Sequence, residues 1–193
     1  RDWSSALCSS DLKRVKKYAS LIVFVLPALV ALGVRFGGAA SFLTPFVAFV
    51  LIPLLDLLVG EDRVNYTPEE EKAMDGARYY RLVTYAFVPV YWAVLAFVVW
   101  GASTGGWSLA EYAGNTWSMG ILSGIGIVVA HELGHKASRL EKRLATALLH
   151  PACHGHFTNN LNNCHDLTVG TPEQMNNSRL GTSFHPYDPI TVF

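Results

Sequence analysis

Charge is what this sequence has least of: only 16% of its 193 residues are Asp, Glu, Lys or Arg, while 51% are hydrophobic. Ordinary soluble domains carry about 25% charge. Other absences narrow the reading further. No internal repeat, no phosphate-cradling glycine loop and no basic patch interleaved with aromatics is present, which removes the usual signs of nucleotide or nucleic-acid binding. The three cysteines, Cys8, Cys153 and Cys164, are odd in number and scattered, so no disulfide framework follows. The first apolar block does not read as a clear cleavable signal, because it follows too many residues and resembles the later ones; a mature helix is expected there.

What is present is apolar length. Residues 20–34, 39–59, 84–100 and 107–130 contain almost no charge, and each is near the ~17 to 25 residues that cross a bilayer as a helix. A chain this short cannot bury four such helices in a soluble core. The expected fold is therefore all-α, a polytopic transmembrane bundle with about four membrane helices in this chain. Pro27 and Arg35 make the first block the shortest, and Gly37 with Gly38 suits the turn of a helical hairpin between the first two blocks.

The net charge is zero, but the cations are not evenly placed. Lys13, Arg14, Lys16 and Lys17 precede the first block; Arg63, Lys72, Arg78 and Arg81 separate the second from the third; Lys136, Arg139, Lys142 and Arg143 follow the fourth. The other two connections hold only Arg35. With four crossings, the positive-inside rule puts both chain ends and the segment after the fourth block in the cytoplasm. Trp100, Trp107 and Trp117 suit an interfacial belt, with one of them deeper.

The fourth block runs directly into His131-Glu132-Leu133-Gly134-His135. On a helix, His131 and His135 lie one turn apart on the same face, so both imidazoles reach one ion, while Glu132 points elsewhere. Ser138 to Arg143 reads as a solvated or headgroup-facing surface. Downstream, His150, His154, His156 and His165 crowd together with Asp166, among asparagines that suit a loop. Two chemistries fit a histidine pair at a membrane boundary. In a zinc protease the glutamate is general base on a metal-bound water; in a non-haem iron oxygenase many histidines bind iron and the glutamate supports a ligand. The number of histidines favours iron.

The ordered segments "PLLDLLVGED" (53–62), "RYYRLVTY" (78–85), "AHELGHK" (130–136), "GHF" (155–157), "VGTPE" (169–173) and "SRLGTSF" (178–184) resemble the membrane-bound alkane 1-monooxygenases. These are integral-membrane histidine-box di-iron hydroxylases. The resemblance implies a six-helix bundle in the bacterial cytoplasmic membrane with its active site toward the cytoplasm. It also implies two iron ions, and hydroxylation of the terminal carbon of medium-chain alkanes with dioxygen and electrons from rubredoxin. Carried over by position, His131 and His135 become iron ligands, His165 keeps a second-box histidine, and Asp166 stands where that box ends in histidine. Glu132 and His156 become supporting residues. Leu161, Asn160 and Cys164 replace the box's first histidine, its glutamate and its glycine, and Leu161 binds nothing.

Residues 1–150 are thus expected to hold the membrane helices and the first box, and 151–193 the second-box segment. The family is considerably longer, with a third box and two further helices. The start at Arg1 and the end at Phe193 fit the front part of a longer protein. The remaining alternatives are an erroneous final portion or a degenerate relative, and the functional rivals are an intramembrane zinc metalloprotease and an inactive or incomplete helical membrane subunit.

Overall fold

The structure is a computed structural model that describes residues 20–59, 78–104, 106–136 and 138–155. Among the described residues there are five helices and no strand: α1 (Ser20–Phe36), α2 (Gly38–Leu58), α3 (Arg78–Ser103), α4 (Leu109–Gly134) and α5 (Arg139–Leu149). They fall into two compact units that part between Gly126 and Ile127, within α4.

Three of the four expected blocks, α2, α3 and α4, are long and apolar enough to cross a membrane. The chain is an integral membrane protein. The first block, α1, is apolar but shorter. It opens as a 3₁₀ turn over Ser20–Phe24, becomes α-helical before Pro27, and stops at Gly37. Gly37 has φ 63° and ψ −164°, and Gly38 has φ 54°. Both lie in regions that side chains avoid, and Gly37 occupies one that is essentially glycine's alone. The expected turn between the first two blocks is at this pair.

Contacts inside the first unit fix the directions of its helices. The Phe24 ring lies tilted against that of Phe87, with centroids 6.3 Å apart, and Val34 flanks Gly101, so α1 and α3 run the same way. Tyr91 meets Ser123 and Tyr112 meets Ala102, so α3 and α4 are antiparallel. Glu111 meets Gly38, and Trp117 meets Phe49, which makes α2 and α4 parallel. The up-down-up-down order follows the short connections and agrees with the alternation inferred from the cations. Trp100 and Trp107 lie at one shared end of α3 and α4, and Trp117 sits about 12 Å further along α4 at 1.5 Å per residue.

Lipid is as apolar as leucine, so helices in it associate through close packing and polar contacts rather than by hiding apolar surface. The core of the first unit shows this. Val30, Phe87, Tyr91 and Leu122 are fully buried, yet large apolar side chains such as Leu57 (80% exposed) and Leu58 (72%) face outward. Small residues mark the closest approaches. A Cβ on Gly33 would come within 3.0 Å of the Ala40 carbonyl, and one on Gly114 within 2.8 Å of Ser41 Cβ.

Helix α2 is irregular for a covalent reason. It is 3₁₀ over Gly38–Phe42, α over Leu43–Phe46, π over Val47–Leu51 and α again from Ile52 onward. Pro45 and Pro53 have no N–H to continue the ladder. Pro45 in particular has none to give the carbonyl four residues back, that of Ser41. The Ser118 hydroxyl of α4 donates to that oxygen at 2.9 Å in a buried setting, which is how proline is accommodated in a membrane helix.

Candidate metal centre

The far end of α4 carries the histidines. Helix α4 is 26 residues long, enough to cross a bilayer, and His131 lies in its last turn. At the near end, Ser108 and Glu111 form a reciprocal capping box. The Ser108 N–H donates to Glu111 Oε2 at 2.7 Å, and the Glu111 N–H donates to Ser108 Oγ at 3.3 Å. The other carboxylate oxygen accepts the Gly38 N–H at 2.6 Å, tying the start of α4 to the α1–α2 turn.

In the second unit, Ala130, Leu133 and Gly134 are buried, whereas His131 is half-buried and His135 exposed. The pair therefore lies off the packed side of the helix. The two Nε2 atoms are 3.0 Å apart, and the rings cross at 74° with centroids 4.6 Å apart. Two nitrogens each about 2.1 Å from one ion, at right angles, are about 3.0 Å apart. At this separation the two ring nitrogens share a hydrogen bond, and it is also the separation that two imidazoles on a single metal have. Glu132 is exposed and pairs with Lys136 at 2.8 Å, on the next face of the helix.

Beyond the pair the chain turns and starts α5, where Ser138 serves as N-cap by accepting the Leu140 N–H at 3.2 Å. Ala145, Leu148 and Leu149 of α5 are fully buried and Glu141 nearly so, while Arg139, Lys142 and Arg143 are exposed. The solvated surface expected over Ser138 to Arg143 is present at the cations but not at Glu141, which turns to the buried side of α5 with Ala145 and Leu148. His150 closes α5, its Nδ1 2.7 Å from the Thr146 carbonyl. Cys153 follows in the left-handed region at φ 54° and is an exposed free thiol.

Among the described residues, no group of three or more His, Cys, Asp or Glu side chains converges. His131 and His135 come together; His150 and His154 do not enlarge the pair into such a group. His156, His165 and Asp166 lie outside the described residues, as do Asn160, Leu161 and Cys164.

The sequence reading passed over three features that organise α4. The Ser108–Glu111 box was legible as S-x-x-E before an apolar run. Asn115 and Ser118, on the buried side, were legible as polar residues one turn apart inside that run. The Tyr91–Ser123 hydrogen bond, 3.0 Å between the hydroxyl oxygens, had no sequence signal because it joins two helices.

No protein-family model matches the chain. Individual curated proteins do. The chain is 31% identical over 177 residues to "Alkane 1-monooxygenase" of Ectopseudomonas oleovorans, covering 89% of this chain and 44% of that protein. It is 34% identical over 203 residues to "Alkane 1-monooxygenase 2" of Pseudomonas aeruginosa, covering 96% and 52%. With "Alkane 1-monooxygenase 1" of Alcanivorax borkumensis it shares 33% over 137 residues, covering 71% and 34%. The chain spans about half the length, or less, of the curated relatives it matches, at 44% and 52% in the first two cases. Over most of its length, membrane helices included, the chain is similar to one part of the curated alkane 1-monooxygenases, as a partial member of that family would be.

Proposed function

We propose that this chain carries part of the metal centre of a membrane-bound alkane hydroxylase. The observation that carries the proposal is the pair of Nε2 atoms of His131 and His135, 3.0 Å apart, at the end of a membrane-length helix. The relatives are named alkane 1-monooxygenases, and that name supplies the reaction class. The overall change is R–CH₃ + O₂ + 2e⁻ + 2H⁺ → R–CH₂OH + H₂O, at the terminal carbon of a medium-chain alkane, with the electrons delivered by reduced rubredoxin.

The cofactor of this reading is iron, two ions, which supply the activation of dioxygen. His131 and His135 hold one of them. His165 and Asp166 are the further ligands within this chain, with Glu132 and His156 in support, so that residues 1–150 bring the first box and 151–193 the second. The apolar helices position the hydrocarbon by shape, since an alkane offers no polar handle. The site faces the cytoplasm of a bacterial inner membrane, a reading supported by the cations that follow α4. Against a zinc protease stands the number of histidines that follow α4, His150, His154, His156 and His165, which suits iron better than a two-histidine zinc site.

The test uses the whole protein purified from membranes, with metal content and conversion of a medium-chain alkane as readouts. Iron is expected in the parent, lost together with turnover in His131→Ala, and retained in Glu132→Gln. Zinc without iron sinks the oxygenase reading. A metal-free parent whose behaviour His131→Ala leaves unaltered establishes an inactive subunit instead.

A further inference from the structure

A second polar site lies inside the first unit, where α2 and α4 meet. Ser41 Oγ, Thr44 Oγ1 and both side-chain atoms of Asn115 are buried with no hydrogen-bond partner. Ser41 and Asn115 are 0% exposed and Thr44 is 1% exposed. Asn115 and Ser41 lie close together: the position a Gly33 Cβ would take is 3.3 Å from Asn115 Oδ1 and 3.3 Å from Ser41 Cα. Ser118, one turn beyond Asn115, donates to the Ser41 carbonyl, and Thr44 is one turn beyond Ser41. Glycine at 33 and at 114 removes two side chains from the walls of this crossing.

Orphaned polar atoms are expensive anywhere, and more so in a membrane-crossing segment where bulk water is remote. The kind of ligand follows from the donor set. Asn115 Nδ2 offers two N–H donors, Asn115 Oδ1 accepts, and the two hydroxyls do either. A hydrocarbon satisfies none of these, and a monovalent cation satisfies the oxygens while facing the amide N–H groups. Only a small molecule that both donates and accepts serves the whole set.

We propose that Asn115, Ser41 and Thr44 form an internal hydration site that holds an ordered water between α2 and α4. Buried waters typically make about three hydrogen bonds to groups of this kind. Asn115 belongs to the first unit and His131 to the second, so the variants at Asn115 leave iron content as an independent control.

The experiment is a structure of the whole protein in lipid nanodiscs, at a resolution that shows ordered water. The expected result is a peak within about 3.2 Å of the Asn115 amide and of the Ser41 or Thr44 hydroxyl, absent in Asn115→Leu. Direct pairing of Asn115 with those hydroxyls and no peak overturns the proposal. So does a peak that strengthens when sodium is exchanged for rubidium, which identifies a cation, or one that persists in Asn115→Leu. If Asn115→Leu does not accumulate, the parent map with the rubidium exchange decides alone.

Discussion

Ser118→Ala isolates the interaction that lets a proline sit inside α2. The substitution removes one hydroxyl from a site that is 1% exposed and leaves the Ser41 carbonyl, in a residue 0% exposed, without the donor at 2.9 Å. An orphaned buried group costs about 1 to 3 kcal/mol, but interhelical hydrogen bonds measured in membranes average about 0.6 and reach about 1.7 kcal/mol. A loss of about 1 kcal/mol is the reasonable value, and for a chain of this size that lowers the unfolding midpoint by about 2 to 4 °C. The same substitution behaves differently beside Pro45→Ala, which restores a backbone N–H able to close the bond to Ser41 within α2. In that background Ser118→Ala should cost close to nothing. The assay is a double-mutant cycle of unfolding in mixed micelles or bicelles, with circular dichroism as the signal. Equal costs of Ser118→Ala in both backgrounds refute the reasoning, because the hydroxyl would then be doing something unrelated to the proline.

Gly37→Ala should destabilise by more than 1 kcal/mol, since alanine meets both the φ of 63° and a Cβ contact of 2.5 Å to Glu111 Oε1. Gly38→Ala, with φ 54° but open space around its Cβ, should cost about 1 kcal/mol; a reversed order in thermal unfolding rejects the geometry of this turn. Ser138→Ala removes the cap of α5 and should cost about 1 kcal/mol, read as faster amide exchange in the first turn of α5, with Ser138→Asp keeping protection near the parent level. If Ser138→Ala and Ser138→Asp exchange alike, the side-chain cap contributes nothing.

The long apolar blocks were legible because lipid asks little of them beyond length: α3 and α4 appear where uncharged residues accumulate, extended at their ends by Arg78, Tyr79 and the histidine segment. The turn at Gly37 and Gly38 was legible for the same local reason, since two adjacent glycines between apolar runs have few other uses. The internal character of α2 was not. Proline marks a break in the ladder, but whether the chain answers with a 3₁₀ turn, a π turn or a neighbouring hydroxyl depends on Ser118, 77 residues away. The site divides along the same line. His131 and His135 are set by helical spacing alone, so the sequence placed them correctly one above the other; the polarity at Asn115 acquires meaning only against Ser41 and Thr44 of another helix.

Glu111 also bears on the order in which the molecule is made. Its capping partner Ser108 belongs to the same hairpin, but the Gly38 N–H it accepts at 2.6 Å belongs to the earlier one, 73 residues upstream. At ~5 to 20 residues per second, the ribosome delivers the carboxylate roughly 4 to 15 s after the amide. Until Glu111 has been made, the Gly38 N–H lacks this acceptor, and the contact can form only once α4 has begun. A single acidic side chain thereby registers that the second hairpin has come to lie beside the first.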